Sequence, residues 1–267
     1  MPLTVCATPI GNLEDITLRV LAELREADVV LAEDTRHTRG LLERHGIRAR
    51  LLSYHEHNEA SRVAELLPRL AAGERMALVS DAGMPAVSDP GARLVRAALD
   101  AGIEVTVLPG PSAVETALVA SGLGGGSYAF VGFLPRKAGE LAALWRELAS
   151  WPWPVVAFES PHRLPATLRS LAEFDPAREV AVCRELTKRF EEVVRGRADE
   201  LAEQLSGTPK GEVTLVVAPA AEVMSDSGAA RAAVAELVEA GTPRRVAAEV
   251  VSRLTDVSRN DLYRGSL

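Results

Sequence analysis

The chain has 267 residues, enough for one large α/β domain or two lobes with separate cores, and its 47% hydrophobic and 25% charged residues are ordinary globular composition. No run of eighteen apolar residues occurs, so no membrane-spanning helix and no membrane partner is expected. The formal net charge of −7 excludes a purely electrostatic nucleic-acid binder, so any contact with RNA must come from local basic patches.

Residues 1–5 enter a strand pattern at once, with no basic leader, and no signal peptide is expected. Leu3 to Ala7 reads as a strand. Ile16, Val20, Leu24 and Ala27 then recur at helical spacing behind Asp15, a candidate N-cap. Val29 to Ala32 is a second strand and Leu51-Leu52 a short third. Glu59 to Ala72 is a helix ending near Gly73, and Met76 to Val79 is a buried strand. Asp89-Pro90 has the chemistry of a helix start, a cap followed by proline at the first helical position. Ile103 to Leu108 closes the first set of elements. Ser112 to Ser121 is a helix, followed by strands near Tyr128 to Phe133, Val155 to Phe158, Glu179 to Cys183 and Val213 to Ala218. Gly124-Gly125-Gly126 is a turn with no phosphate-binding role, because no helix starts directly behind it. Pro219 to Gly228 is a polar linker. Two helical patterns follow, Ala229 to Ala240 and Arg244 to Leu254, and Ser258 is placed to cap a last helix. This alternation of apolar runs and amphipathic stretches is the mark of α/β architecture. Cys6 and Cys183 lie in apolar runs and read as free buried thiols of a reducing, cytoplasmic protein.

Familiar motifs are missing. No Gly-x-Gly-x-x-Gly follows the first strand, and there is no Walker A loop, Gly-x-Ser-x-Gly elbow or Cys-x-x-Cys pair. Instead, polar loops rich in glycine and proline follow the strands: Thr8 to Asn12, Glu33 to Arg36, His55 to Glu59, Ser80 to Pro85, Pro109 to Ser112, Glu159 to Arg163 and Arg184 to Lys188. Ligands of open α/β sheets bind outside the carboxyl ends of strands, so these loops mark a site. His55 and His57 have a spacing that a metal could use, but no third ligand is near and no metal is expected. Glu33 to Arg36 reads either as a helix cap with a local ion pair or as a substrate contact. Asp89 reads as a helix cap, and Arg44, Arg48 and Arg50 as a solvated face. The helical tail is open to two readings, a helix-turn-helix-like RNA contact or a packing arm in a dimer. Arg244, Arg245, Arg253, Arg259 and Arg264 outnumber the acids between them, so the stretch from 244 to 264 is locally basic.

The ordered set Thr8-Pro9-Ile10-Gly11-Asn12-Leu13, Ala32 to Arg36, His55 to Glu59, Ser80-Asp81-Ala82-Gly83, Ser88-Asp89-Pro90-Gly91, Pro109 to Ala113, Gly132 to Pro135, Glu159 to Arg163, Arg184 to Lys188 and Lys210-Gly211-Glu212 resembles one family. That family is the ribosomal RNA small-subunit methyltransferase I group, within the tetrapyrrole-methylase superfamily. The resemblance spans nearly the whole chain and loosens from Ser225 onward. It implies two α/β lobes, residues 1–110 and 111–221, with S-adenosylmethionine in the cleft between them, and a small helical tail at 222–267. It also implies a homodimer and 2′-O-methylation of a cytidine in the decoding region of small-subunit ribosomal RNA. Carried over by position, the cofactor meets Pro9, the loop Asp81, Ala82, Gly83, Met84 and Pro85, the helix start Ser112 and Ala113, and Phe158 and Leu186. Met84 departs from the family, which usually has threonine there.

The sulfonium is already a strong electrophile. Placing the ribose oxygen in line with its methyl group contributes about 7–11 kcal/mol, whereas a general base gives about 10²–10⁴-fold. Orientation therefore dominates, and Asp34, Arg36, Asn58, Glu159 and Arg184 are candidates for assisting proton removal or holding the nucleotide. For Arg36 and Arg184, the acidic neighbours Asp34 and Glu185 are placed to orient a phosphate-gripping guanidinium or simply to tie the loop. A tetrapyrrole methyltransferase of the same fold is the alternative. It is disfavoured because the first strand ends in Thr-Pro-Ile-Gly-Asn rather than a longer glycine-rich run. An NAD-dependent oxidoreductase lacks its fingerprint, and a non-enzymatic RNA-binding module would not need two lobes meeting at a polar cleft.

Overall fold

The computed structural model describes residues 2–124, 126–207, 210–219, 227–255 and 257–264. Gly125 of the triple-glycine turn and most of the Pro219 to Gly228 linker lie outside the described residues. Two five-stranded sheets carry the fold. The first contains β1 (Leu3–Cys6), β2 (Val29–Ala32), β3 (Leu51–Ser53), β4 (Met76–Val79) and β5 (Val105–Leu108), all parallel, in the order β3-β2-β4-β1-β5. β1, β2 and β4 are buried throughout, which explains their unbroken apolar runs: a parallel sheet is covered on both faces. On one face Val20, Leu21 and Leu24 of α1 (Leu18–Glu26) and Leu41 and Leu42 of α2 (Thr35–Arg44) pack against Cys6, Val30 and Val79. On the other, Leu66 and Leu70 of α3 (Glu59–Ala71) and Leu94 and Ala98 of α4 (Ala92–Asp100) pack against Leu3, Leu31 and Leu78.

Helix α5 (Ala113–Ser121) leads to the second sheet, β6 (Ala129–Phe133), β7 (Val155–Glu159), β8 (Glu179–Arg184), β9 (Glu192–Arg197) and β10 (Val213–Val217), ordered β6-β7-β10-β8-β9. Only β6 and β7 pair in parallel; the other pairs are antiparallel. One face is covered by α6 (Ala138–Leu148), α7 (Leu164–Phe174) and α8 (Ala198–Gln204), the other by α5. The tail helices α9 (Ser227–Glu239), α10 (Arg244–Leu254) and α11 (Arg259–Arg264) share a core of their own around Val234, Ala248, Val251 and Leu262. Ser258 Oγ accepts the Asp261 amide at 3.2 Å, the cap expected of it.

Three expectations need correction. Asp15 does not cap α1. The chain first makes a 3-10 turn over Leu13–Asp15, held by Asn12 Oδ1 accepting the Glu14 amide at 3.1 Å, and Ile16 and Thr17 then run extended. Thr17 is the cap, its Oγ1 accepting the Val20 amide at 3.2 Å. Asp89-Pro90 does not open α4 either. The helix begins at Ala92 behind Gly91, whose φ of 136° suits glycine, and a Cβ there would sit 2.8 Å from Leu78 Cδ2. Finally, the sequence reading places no strand at 192–197. β9 is an edge strand in which Glu192, Arg195 and Arg197 interrupt the apolar signal, as charged residues on sheet edges commonly do.

The cap assignment is open to a direct comparison. Thr17→Ala should destabilise the protein by about 1 kcal/mol in denaturant titrations. Asp15→Ala should stay within about 0.5 kcal/mol of the parent, and the reverse order would return the cap to Asp15.

Candidate active site

The two sheets meet at the segment that follows β1. Thr8 and Gly83 exchange backbone hydrogen bonds of 2.8 and 3.1 Å, and Thr8 Oγ1 donates to Ser80 O at 3.0 Å, which fastens the loop after β1 to the loop after β4. Ile10 then leaves the first sheet and packs with Val114, Val156, Ala181 and Leu186 in the core beneath α5. Gly11 touches the second half of the molecule so closely that a Cβ would lie 2.7 Å from Leu186 O and 2.8 Å from Thr187 Oγ1. β1 lies between β4 and β5, so these loops stand where the connections of a parallel sheet diverge, the usual place for a ligand.

A cavity of about 450 Å³ opens beside this joint, within the range of small-molecule sites. Its first-sheet wall contains Ile10, Glu33, Asp81, Ala82, Gly83, Met84, Val87, Ser88 and Asp89, with Ser112, Ala113 and Val114 at the start of α5. The second sheet adds Phe133, Phe158, Glu159, Ser160, Pro161, Cys183, Leu186 and residues 211–214. The electrostatics are lopsided. Burial, and then the neighbouring Asp81 carboxylate, raise the Glu33 pKa. Burial, followed by Glu33 and Asp81, pushes Asp89 up to about 7, against a lowering hydrogen bond from Ser80. Burial lifts the Cys183 thiol to about 11 and Cys6 to about 12, so both thiols stay protonated and inert.

The other site residues expected from sequence are distributed unevenly. Pro9 and Pro85 are buried behind the cavity rather than lining it. Asp34 caps α2 and grips Arg36 through two bonds, Nε to Oδ1 at 3.1 Å and Nη2 to Oδ2 at 2.7 Å; these hydrogen bonds hold its carboxyl well below the usual range. Neither residue lines the cavity, but the Asp34 amide donates to Asp81 Oδ1 at 3.1 Å, which fixes the carboxylate that does. Asn58 closes its own loop, accepting the His55 amide at 2.9 Å and donating to Ser53 O at 3.2 Å. Arg184 binds Glu192 at 2.7 Å and Lys210 O at 3.0 Å, not Glu185, whose carboxylate takes Lys188 at 2.9 Å and the Glu212 amide at 3.0 Å instead. Glu159 reaches the cavity wall, but its carboxylate is wholly buried and saturated by Arg163 Nε (2.8 Å), Thr167 Oγ1 (2.6 Å) and the Ser160 amide (2.5 Å). Among the described residues, no cluster of three or more histidine, cysteine or carboxylate side chains could hold a metal.

A family model of Tetrapyrrole (Corrin/Porphyrin) Methylases matches residues 2–202. A Streptococcus pyogenes protein named Ribosomal RNA small subunit methyltransferase I is 42% identical over 98% of this chain and 93% of its own length. One of the same name from Micromonospora olivasterospora is 46% identical over 98% of this chain and 85% of its own. The chain belongs to the ribosomal RNA small subunit methyltransferase I family of tetrapyrrole methylases. Among solved structures, uroporphyrin-III-C-methyltransferase from Thermus thermophilus superposes with a TM-score of 0.56 at 25% identity, covering 84% of this chain and 96% of that one.

Membership makes the protein an S-adenosylmethionine-dependent methyltransferase, and the cavity suits that donor. Ile10, Val114, Phe158 and Leu186 would offer apolar surface to a nucleobase, while Asp81 and Glu33 would give a cationic sulfonium an acidic neighbourhood. The Met84 side chain lines the cavity and packs against the first-sheet core. Sequence reasoning missed Ile10, Val114, Phe133 and above all Asp89 as cavity residues, and it left Glu33 open between a local ion pair and a substrate contact. Asp89 was hidden because Asp-Pro is also the signature of a helix start.

The joint itself can be tested with two alanines. Gly11→Ala should lower the melting temperature and weaken S-adenosylmethionine binding at least tenfold by calorimetry, because its Cβ meets backbone. Gly40→Ala, inside α2 with open space around it, should be neutral or stabilise by about 0.5–1 kcal/mol. Equal effects on cofactor affinity would mean that the close approach at Gly11 does not shape the site.

Proposed function

We propose that the protein transfers a methyl group from S-adenosylmethionine to the ribose 2′-oxygen of a cytidine in the decoding region of 16S ribosomal RNA. The substrate is the assembled small subunit, and the enzyme is a cytoplasmic homodimer. The observation that carries this reading is the cavity walled by both sheets, in a chain 42–46% identical over nearly its whole length to proteins named for small-subunit ribosomal RNA. Residues 1–110 and 111–221 are taken as the lobes that close on the cofactor, and 222–267 as a tail that contacts RNA or packs in the dimer.

Catalysis in this reading is mainly placement. The Asp81 to Met84 loop holds the donor from the first lobe, and the Ser112-Ala113 helix start, Phe158 and Leu186 hold it from the second. The bound donor supplies the electrophilic methyl group, and the protein's work is to align a ribose oxygen with it and exclude water. Of the two candidate phosphate anchors, Arg36 is the better placed. Its side chain is 87% exposed, and its orientation is fixed by the bidentate pair with Asp34. Arg184 is 25% exposed and committed to Glu192 and Lys210, which suits a structural tie. Within the tail, residues 244–264 carry five arginines against three acids, with Arg245, Arg253 and Arg259 exposed, a locally basic stretch on an acidic protein. Leu18 and Val119, 84% and 80% exposed, are apolar surface that a second copy would cover. The tetrapyrrole alternative rests on likeness of fold, and fold does not transfer a substrate.

The test is methylation in vitro. Purified protein, S-adenosylmethionine and small subunits from cells lacking the modification should yield one 2′-O-methylcytidine per subunit, located by nuclease digestion and mass spectrometry. Methylation on a base, or none on subunits alongside turnover of a tetrapyrrole, would overturn the reading.

A further inference from the structure

Asp89 stands in the cavity wall on a loop whose backbone is under constraint. Ala86 and Ser88 have φ of 68° and 63°, left-handed values that residues with side chains rarely adopt, and Gly91 has 136°. The loop is braced from behind. Glu59 Oε1, at the start of α3, accepts the Gly91 amide at 2.9 Å and the Tyr54 hydroxyl at 3.0 Å, and the Ala86 amide donates to Pro90 O at 3.3 Å. Strained non-glycine residues persist only where their surroundings over-determine them, and they gather at functional sites. Here they turn aside an Asp-Pro pair that would otherwise begin a helix, and they place the carboxyl in the cavity instead.

The remaining carboxyls of the wall have other engagements. Glu159 is saturated by three donors, Asp81 takes the Asp34 amide, and Glu212 pairs with Lys188 at 3.0 Å. Glu33 faces Asp89 from the end of β2 and, with Asp81, disfavours its ionised form. We propose that Asp89 is the proton acceptor of the methyl transfer, an inference that rests on the ribose-methylating reading above. As the 2′-oxygen forms its bond to the methyl carbon, the carbon–sulfur bond breaks and its electron pair stays on sulfur. The hydroxyl proton passes to the Asp89 carboxylate and later leaves to water. A group titrating near neutrality is matched to that task, because it can both accept and release the proton at working pH.

The variant is Asp89→Asn, compared with wild type on unmodified small subunits. Turnover at saturating substrates should fall at least 100-fold, while calorimetric affinity for S-adenosylmethionine stays within about twofold. The wild-type rate should rise with pH to a midpoint near 7, and Glu33→Gln, which removes a facing charge, should move that midpoint down. A second readout needs no cofactor. Asp89 has a folded pKa above the unfolded value of about 3.9, so the native state binds more protons between the two and wild-type stability falls as pH rises from about 4 to about 7. The asparagine variant lacks that fall, so it should match wild type near pH 4 and melt at higher temperature at pH 8. Turnover within threefold of wild type, or a loss repaired by more S-adenosylmethionine, would overturn the assignment. Wild-type protein inactive on subunits would remove the substrate reading, and this proposal with it.

Discussion

The site depends on the close approach of residues 8–11 to both halves of the molecule. On one side Thr8 is stitched to Gly83 by paired backbone hydrogen bonds; on the other Gly11 lies against the Leu186 carbonyl with no room for a side-chain carbon. Between them Ile10 is buried in the second sheet's core although it belongs to the first sheet's loop. Each sheet has an apolar core of its own, so neither needs the other merely to bury surface. The joint decides where their loops meet, and therefore whether a cavity exists between them.

From that joint the chemistry follows by proximity. The Asp81 carboxylate is fixed by the Asp34 amide, and Asp34 is itself fixed as the cap of α2 with Arg36 across it. Thus Asp34, read from sequence as a candidate for the chemistry, acts one step behind the cavity, as the support of a residue that faces it. Glu159 tells a related story: its three donors hold the end of β7 to the start of α7. Its burial reflects local architecture, and all three partners are spent within the loop and helix that it joins.

The parallel sheet was legible because strands covered on both faces read as unbroken apolar runs, and the five expected first-sheet segments match β1 to β5 within two residues or so. The loops were legible as a set, since polar, glycine-rich turns after strands have few other reasons to recur. What failed was local and ambiguous chemistry. Asp15 and Asp89 both look like caps, yet a 3-10 turn displaces the first and a left-handed loop displaces the second. β9 carries too much charge to show a strand period, and its place is set by pairing with β8. Partners distant in sequence were equally out of reach: nothing in the spacing says that Arg184 pairs with Glu192 rather than Glu185.

The central claim is that one ligand is held by both sheets at once, in the seam that residues 8–11 create. Amide hydrogen exchange with and without S-adenosylmethionine addresses it most directly. Added cofactor should slow exchange in two separate groups of peptides together, residues 80–89 from the first half and residues 112–115, 158–161 and 183–187 from the second. Protection confined to one half, with the other unchanged at saturating cofactor, would contradict a shared site.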